Sequence, residues 1–348
     1  VRGIARDLAA AGLGKLKDIK IKKIKGSFTS DVKWLRKFNT KEDHLCPGVS
    51  GRLFTNVKNT QSPEWLKRRL ELIGLRSISA LVDITNYVTF DLGRPLHVYD
   101  ADKFNGNLVM RKAQKDEKCK TLDEKEYLLS QDMIVISDDD SLHGIGGVMG
   151  GLNSGCSLET KNVFLEVALF DPISITKTGR KLNLQSDARY RFERGVDFTS
   201  IEWGVDAATQ MIIDLCGGEV SEIVFDKIQN PKLKTLDYDI NLTKTYGGID
   251  IEIKKQIKIL ENLGFKINSK NNLKLEIVIP SFRPDIIGPA DIVEEILRIN
   301  GFDKIQPISL SNKKDKNSEI LNSNLQAFYK SKRLIANRGY LETVTWSF

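Results

Sequence analysis

Hydrophobic residues recur at helical spacing in six separate segments of the chain. In the second segment Leu66, Leu70 and Ile73 define one face, because residues three and four apart lie on the same side of a helix. Ser62 and Pro63 precede that face and are typical of an N-cap and a first helical position. The six predicted helices fall near residues 4–11, 64–73, 205–215, 253–260, 291–300 and 321–335.

Short apolar runs between these segments predict β-strands. Residues 273–279 alternate apolar and polar side chains, as a half-buried strand does. Residues 163–167 are apolar except for Glu166, a carboxylate that needs a partner if it points inward and none if it faces solvent. A solvent-facing side chain is the commoner of these two outcomes. The predicted strands fall at 19–24, 81–84, 108–111, 133–137, 163–167, 273–279 and 343–348.

The helices and strands follow one another irregularly, which favours an α+β fold over a doubly wound parallel sheet. The chain has 348 residues, of which 41% are hydrophobic, enough for more than one core. The chain begins at a valine and ends within a predicted strand, so we expect both ends to be cuts through a larger protein. The predicted segments are a remnant of a preceding domain with a basic connector at 1–40, a mixed-sheet domain at 41–232, a small α+β domain at 233–308, and a linker with the beginning of a further domain at 309–348.

The net charge is +7, from 53 basic and 46 acidic residues. This excess suits a polyanionic partner such as RNA but does not establish one. The excess of basic residues is concentrated in two lysine-rich runs, at 15–25 and 313–316, and such runs are more typical of solvated linkers than of binding sites. No apolar run is long enough to predict a membrane span. Four scattered cysteines indicate a reducing cytoplasm.

Three polar clusters in the predicted mixed-sheet domain at 41–232 are candidates for a chemical function. The first combines Asp83, Thr85 and Asn86, at the end of a predicted strand, with His97 beyond a Gly-Arg-Pro loop. Hydroxyl, amide and imidazole groups together can hold a water or an ester carbonyl. The same residues are more typical of a turn, in which they cap local backbone. On chemistry alone the turn is favoured.

The second cluster is the glycine-rich run at 144–151, Gly-Ile-Gly-Gly-Val-Met-Gly-Gly. Glycine lets the backbone approach a ligand closely. No Lys-Ser or Lys-Thr follows, so the run is not a phosphate-binding Walker loop, and a tight bend within a sheet is at least as good an interpretation. The third cluster is Glu166, with the charged and aromatic residues of 186–197 further along the chain. That later run is also typical of a self-contained ion-pair network.

The predicted small α+β domain at 233–308 carries a group of carboxylates around the start of a predicted helix. Aspartate at the first turn with glutamate three residues on is typical of helix capping. Four neighbouring carboxylates can also gather Mg²⁺, which prefers oxygen ligands. Capping is the favoured interpretation on these residues, which are Asp285, Asp291, Glu294 and Glu295.

Several long strings, taken together and in order, resemble the beta subunit of bacterial phenylalanyl-tRNA synthetase. Four lie in the segment that resembles the proofreading domain of that family, two in the small domain that follows it, and one at the opening of its catalytic-like domain. The resemblance covers nearly the whole chain. The strings occupy residues 82–88, 93–97, 146–151, 189–197, 280–285, 291–301 and 339–345.

The resemblance implies an editing site that hydrolyses tyrosine wrongly esterified to tRNA(Phe). It implies that Glu166 binds the tyrosine phenol, that Gly150 and Ala188 are small to admit the ring, and that Gly147 brings backbone close to the substrate. Ser186 is implied to lie near the ester, with no nucleophile role. The groups implied around the ester and its attacking water are Arg76, Thr85, Asn86 and His97.

The resemblance also implies a larger assembly. The family forms an (αβ)₂ heterotetramer in the cytoplasm and charges tRNA(Phe) with phenylalanine, using ATP and Mg²⁺. Asp285, Asp291, Glu294 and Glu295 match positions associated with that Mg²⁺, and the small domain resembles winged-helix folds. The alternative is a non-catalytic scaffold that docks tRNA, in which the polar clusters are inert.

Overall fold

The computed structural model describes residues 1–227, 231–269, 273–307 and 321–347. The chain divides into two compact units, Val1–Ile305 and Gln306–Phe348. Helices α1 to α10 of the described residues span Arg2–Ala10, Glu64–Glu71, Ala80–Leu92, Pro172–Lys181, Asp187–Phe192, Ser200–Cys216, Leu242–Gly247, Ile253–Asn262, Pro289–Asn300 and Ser323–Ala336. Strands β1 to β15 span Trp34–Lys37, Gly48–Thr55, His97–Asp100, Leu108–Lys112, Lys118–Lys120, Glu126–Leu128, Ile134–Ser137, Leu142–Ile145, Met149–Gly150, Val163–Leu169, Glu219–Val220, Val224–Lys227, Thr235–Asp239, Lys266–Ser269 and Lys274–Val278.

Two sheets build the larger part of the first unit. One has the order β1-β4-β7-β8-β9, and the other has the order β11-β2-β10-β3 with β12 also paired to β2. Strand β10 lies inside the second sheet, antiparallel to both β2 and β3. The predicted α+β class is confirmed, since helices and mixed sheets alternate irregularly along the chain.

Strand β10 is buried on both faces because each face borders a different core. Phe164 and Ala168 point into a core shared between the two large sheets. Leu165 and Val167 point the other way, into a core formed with α2, α3 and α6. Side chains alternate across a strand, so Glu166 must share the face of Phe164 and Ala168. The strand pattern therefore sends this carboxylate inward, and the solvent-facing orientation does not occur.

A third core lies in the part of the first unit that follows β12. Strands β13, β15 and β14 form an antiparallel sheet in that spatial order. Helices α8 and α9 cover the sheet through Leu260, Ile292 and Ile296. The amphipathic spacing predicted for both helices is confirmed, and α9 begins at Pro289, two residues before the predicted start.

The strand predicted at 81–84 is wrong. Those residues belong to helix α3, which runs from Ala80 to Leu92 and ends at Gly93 with a left-handed backbone (φ 75°). Several β-branched residues favour a strand locally. Burial of Leu81, Ile84 and Val88 on one face decides for the helix, because these positions follow a helical period.

Three smaller expectations are also wrong. Residues 19–24 form no strand, and the Ile24 carbonyl accepts a hydrogen bond from the Arg52 guanidinium instead (2.6 Å). Residues 343–347 form no strand within the described chain. Ser62 does not cap α2, because its hydroxyl donates to Asp83 (2.6 Å) and Pro63 takes the cap position.

The second unit contains α10, which confirms the helix predicted near 321–335. The linker predicted from residue 309 onwards, with its lysines at 313–316, lies outside the described residues. Within the described ranges, every helix is too short or too polar to cross a bilayer.

Candidate active site

Strand pairing brings His97 and Glu166 side by side. The two residues are direct partners in the antiparallel ladder between β3 and β10. Directly opposed residues of such a pair project their side chains to the same face, here the face that borders the core between the large sheets. This places an imidazole and a carboxylate at one wall of a cavity, although 69 positions of sequence numbering separate them.

The cavity at this wall measures about 70 Å³ and is mostly apolar. Its polar side chains are His97, Tyr99 and Glu166, and the remaining wall is hydrocarbon and backbone. Apolar walls with a few polar groups are typical of sites that bind small molecules. The other lining residues are Pro95, Leu96, Ile136, Ile145, Gly147, Val148, Met149, Gly150, Ala168, Phe170, Ala188 and Phe192.

Glu166 is the buried acid of the cavity, with 6% of its surface exposed. The Tyr99 hydroxyl donates a hydrogen bond to its Oε2. Burial raises the pKa of Glu166 to about 7, and the bond from Tyr99 and the positive charge of Arg94 act in the opposite direction. The carboxyl group therefore titrates near neutral pH.

His97 is the second ionisable group of the wall. Its Nε2 is covered and has no hydrogen-bond partner among the described residues. Burial lowers the pKa of His97 to about 4, so the imidazole is neutral at physiological pH. A neutral imidazole with an unengaged nitrogen can bind a water or an ester carbonyl.

Two glycines form the wall opposite these groups. The run at 144–151 is a β-hairpin: β8 pairs with β9 through Gly144 and Gly150, which confirms the tight bend. Gly147 has a positive φ of 68° at the turn, a conformation that favours glycine. A Cβ on Gly150 would stand 2.4 Å from Cε1 of His97. Gly150 is therefore small because the imidazole occupies the adjacent space.

Helix α5 closes the cavity from a third side. Ser186 is its N-cap: the hydroxyl accepts from the Arg189 N–H (3.0 Å) and donates to the Val148 carbonyl (2.5 Å). This second bond ties the helix to the glycine hairpin. Ala188 and Phe192 then face the cavity. Ser186 itself does not line the cavity, and its place near the ester stays a prediction.

Three residues predicted around the ester are not brought to this cavity. Thr85 lies on α3, where its hydroxyl donates to the Val82 carbonyl (2.7 Å). Asn86 is half-buried on the same helix, and Arg76 is exposed in the segment before it. None of the three lines the cavity. Their roles stay predictions.

Two residues near Glu166 escaped the sequence interpretation. Tyr99 follows His97 by two positions and resembles an ordinary core aromatic. Arg94 is fully buried and donates to the Ala168 carbonyl, where β10 extends past the start of β3. Side chains alternate along β3, so Tyr99 lies on the same face as His97. This spacing of two is the sequence signal that could place Tyr99 at the site.

Three of the four carboxylates near α9 are engaged by protein groups. Asp291 accepts from the Ile287 and Gly288 N–H groups (2.7 and 2.8 Å). It therefore caps α9 as predicted, but as the third helical residue after the N-cap Gly288 and without Glu294. The Arg283 guanidinium binds both Asp285 (2.8 Å) and the buried Glu295 (2.6 Å). Glu294 is exposed.

A shared cation does not fit these carboxylates as they stand. Arg283 and Arg298 already neutralise Glu295, and Asp291 is committed to backbone. Within the described ranges, no group of three or more histidine, cysteine, aspartate or glutamate side chains is arranged to hold a metal ion. The predicted Mg²⁺ ligands stay a prediction.

Comparison with known families matches two domains. A B3/4 domain covers residues 45–217 and contains the cavity, and a tRNA synthetase B5 domain covers residues 236–302 and contains α9. Phenylalanine–tRNA ligase beta subunits from Mesorhizobium japonicum and Rhodopseudomonas palustris are 48% and 45% identical over the whole of this chain. The chain spans 43% of the length of each.

A solved N-terminal fragment of the phenylalanyl-tRNA synthetase beta subunit from Pyrococcus horikoshii is 15% identical, with a TM-score of 0.39. That match covers 86% of this chain and 82% of the fragment. The domain and sequence matches define the class of the chain as part of an aminoacyl-tRNA synthetase. The chain belongs to the family of phenylalanine–tRNA ligase beta subunits, and the resemblance predicted from its motifs is confirmed.

Proposed function

We propose that this chain is the proofreading part of a phenylalanine–tRNA ligase and hydrolyses the ester between tyrosine and tRNA(Phe). One observation supports the proposal. A buried carboxylate, Glu166, stands in an otherwise apolar cavity beside an imidazole, His97, whose Nε2 has no partner among the described residues.

The cavity chemistry suits the discrimination that such an enzyme needs. Tyrosine exceeds phenylalanine by one hydroxyl, and an apolar charging pocket rejects an added hydroxyl only about a hundredfold. A second pocket that hydrogen-bonds the hydroxyl inverts this preference. A bond to an ionised Glu166 contributes about 1.5–3 kcal/mol. Phenylalanine offers no donor to the carboxylate, so the correct ester is bound more weakly.

Hydrolysis at this site is a simple exchange of bonds. The oxygen of a water molecule bonds to the ester carbonyl carbon, and the bond from that carbon to the ribose oxygen breaks. The ribose oxygen takes a proton, and tyrosine and tRNA are released. We assign His97 to binding the water or the carbonyl, Gly147 to bringing backbone close to the substrate, and Gly150 and Ala188 to leaving room for the tyrosine ring. No group of the chain is assigned as the base.

Within the full synthetase, this activity supports charging of tRNA(Phe) with phenylalanine by an (αβ)₂ assembly in the cytoplasm. ATP and Mg²⁺ belong to that charging reaction. The curated relatives supply the ligase identity, and the B5 domain at 236–302 supports contact with RNA. A non-catalytic tRNA-docking scaffold is the competing function.

Substituting His97→Ala tests the proposal. We expect hydrolysis of Tyr-tRNA(Phe) to fall by about a hundredfold, because the side chain beside the ester is lost. The matched control is His44→Ala, since His44 is exposed and its one hydrogen bond among the described residues is to the local Lys41 carbonyl (2.9 Å). The measurement is single-turnover release of labelled tyrosine. Equal hydrolysis by the two variants would contradict the role of His97, and absence of hydrolysis by the unsubstituted chain would favour the scaffold.

The pH dependence of editing follows from Glu166. Its pKa is raised to about 7, so the carboxylate that accepts the phenol is present above that pH and lost below it. We expect hydrolysis of the tyrosyl ester to fall as the pH drops from about 8 to about 6, after subtraction of the uncatalysed rate. His97, with a pKa of about 4, stays neutral throughout. A rate independent of pH across this window contradicts the role of Glu166.

A further inference from the structure

We propose that Tyr99 is a specificity-determining residue of this site, acting as a built-in phenol that positions Glu166 to accept the phenol of the bound amino acid. The inference rests on the proposed editing function and deepens it. Tyr99 acts through Glu166 and is therefore a positioning residue.

The geometry of β3 and β10 places Tyr99 for this role. It lies two positions after His97 and opposite Phe164 in the ladder, so its ring shares the cavity face with the imidazole. The ring is fully buried, and its centroid is 4.4 Å from that of His97 in an edge-on arrangement at 78°. The aromatic packing leaves the hydroxyl directed at Glu166.

The hydroxyl of Tyr99 donates to one carboxylate oxygen and leaves the other for a ligand. The donated bond goes to Oε2 of Glu166. No hydrogen bond to Oε1 is present among the described residues. A carboxylate accepts at both oxygens. One tyrosine of the protein therefore occupies Oε2, and the tyrosine of the substrate can occupy Oε1.

Tyr99 is also the hydrogen-bond donor that opposes the burial of Glu166. Arg94 assists by charge, but its Nη2 donates to the Ala168 carbonyl and not to the carboxylate. Burial raises the pKa of Glu166, and the bond from Tyr99 and the charge of Arg94 lower it, leaving it at about 7. Without the Tyr99 hydroxyl, more of the carboxyl is protonated at neutral pH.

This arrangement makes discrimination depend on Tyr99. An ionised Glu166 accepts a charge-assisted bond from a phenol, whereas a protonated one forms only a neutral bond, about half as strong. The phenyl ring of phenylalanine forms no such hydrogen bond with either the ionised or the protonated Glu166. Loss of the Tyr99 hydroxyl therefore weakens selection of tyrosine over phenylalanine at neutral pH, and a higher pH restores it.

The experiment compares the wild-type chain with Tyr99→Phe and Tyr238→Phe. Tyr238 is a matched control: it is also fully buried and loses a hydroxyl bond, to Thr243 (2.6 Å), but it lies in the third core. We measure single-turnover hydrolysis of Tyr-tRNA(Phe) and Phe-tRNA(Phe) across pH. In parallel, calorimetry measures L-tyrosine binding across the same pH range.

We expect the midpoint of the pH profile for Tyr-tRNA(Phe) to rise by about one pH unit in Tyr99→Phe, which corresponds to about a tenfold loss near pH 6. The loss should disappear at a pH well above the new midpoint. Tyr238→Phe should keep the wild-type midpoint. An unchanged midpoint in Tyr99→Phe, for both hydrolysis and tyrosine binding, would overturn the inference.

The two proposals fail in different ways. Absence of hydrolysis in the wild type, together with tyrosine binding whose midpoint rises in Tyr99→Phe, contradicts the editing function but supports the role of Tyr99 in recognising a phenol. Normal editing with an unchanged midpoint overturns the role of Tyr99 alone. Absence of both hydrolysis and tyrosine binding overturns both.

Discussion

Substituting Glu166→Ala is expected to lower hydrolysis of Tyr-tRNA(Phe) by about 10- to 100-fold, which is the loss of one charge-assisted hydrogen bond of about 1.5–3 kcal/mol. Hydrolysis of Phe-tRNA(Phe) should not fall in parallel, because phenylalanine makes no bond to the carboxylate. The preference for tyrosine should therefore collapse. The measurement is the ratio of kcat/KM for the two esters.

Glu166→Gln is the matched variant, since glutamine keeps the length and an acceptor oxygen but never ionises. We expect an intermediate loss for the tyrosyl ester, because a neutral acceptor forms a weaker bond. We also expect no fall in rate as the pH drops through about 7, the pKa of Glu166. An unchanged preference for tyrosine in both variants would show that the phenol is bound elsewhere.

The second large effect is expected from Gly150→Ala. A methyl group at this position would meet Cε1 and Nε2 of His97 at 2.4 and 2.5 Å, so the imidazole must move. Displacement of a reacting group by about 1 Å can cost a hundredfold in rate, and we expect a loss of that order for Tyr-tRNA(Phe). Overpacking should also lower stability by about 1–3 kcal/mol.

Gly155→Ala is the control for this substitution. The methyl group would stand 3.3 Å from the Leu152 carbonyl oxygen and 3.4 Å from Leu122, so its neighbours need to shift by only a few tenths of an ångström, far less than at Gly150. We expect near wild-type editing and a similar unfolding temperature. If Gly150→Ala edits as fast as this control, His97 does not take part at its observed position.

The strongly periodic elements could be predicted from sequence, and the site could be predicted only in part. Burial on one face fixes α6, α8 and α9, and the apolar run of β10 is equally legible. The sequence of helix α3 predicts a strand because its β-branched residues favour strands locally, while the deciding contacts with α6 are distant in sequence. Tertiary packing overrides local propensity in such cases.

The bond between Tyr99 and Glu166 illustrates what sequence does not encode locally. The two residues are 67 positions apart and meet because of the register of β3 against β10. A one-residue slip would send each side chain to the opposite face. Near α9 the sequence leaves open whether the carboxylates are paired with protein groups or bind Mg²⁺. Arg283 lies only two positions from Asp285, but its bond to Glu295 is visible only in the structure, and it engages both carboxylates.

The double-sided burial of β10 has a consequence before the chain has folded. Its sequence, Val-Phe-Leu-Glu-Val-Ala-Leu, is apolar at six of seven positions. Short segments of this kind, with high β-propensity and little charge, pair readily with copies of themselves when exposed. Glu166 is the one charge in the segment, and like charges stacked in register repel. A residue proposed to recognise a misplaced hydroxyl thus also disfavours aggregation of newly made chains.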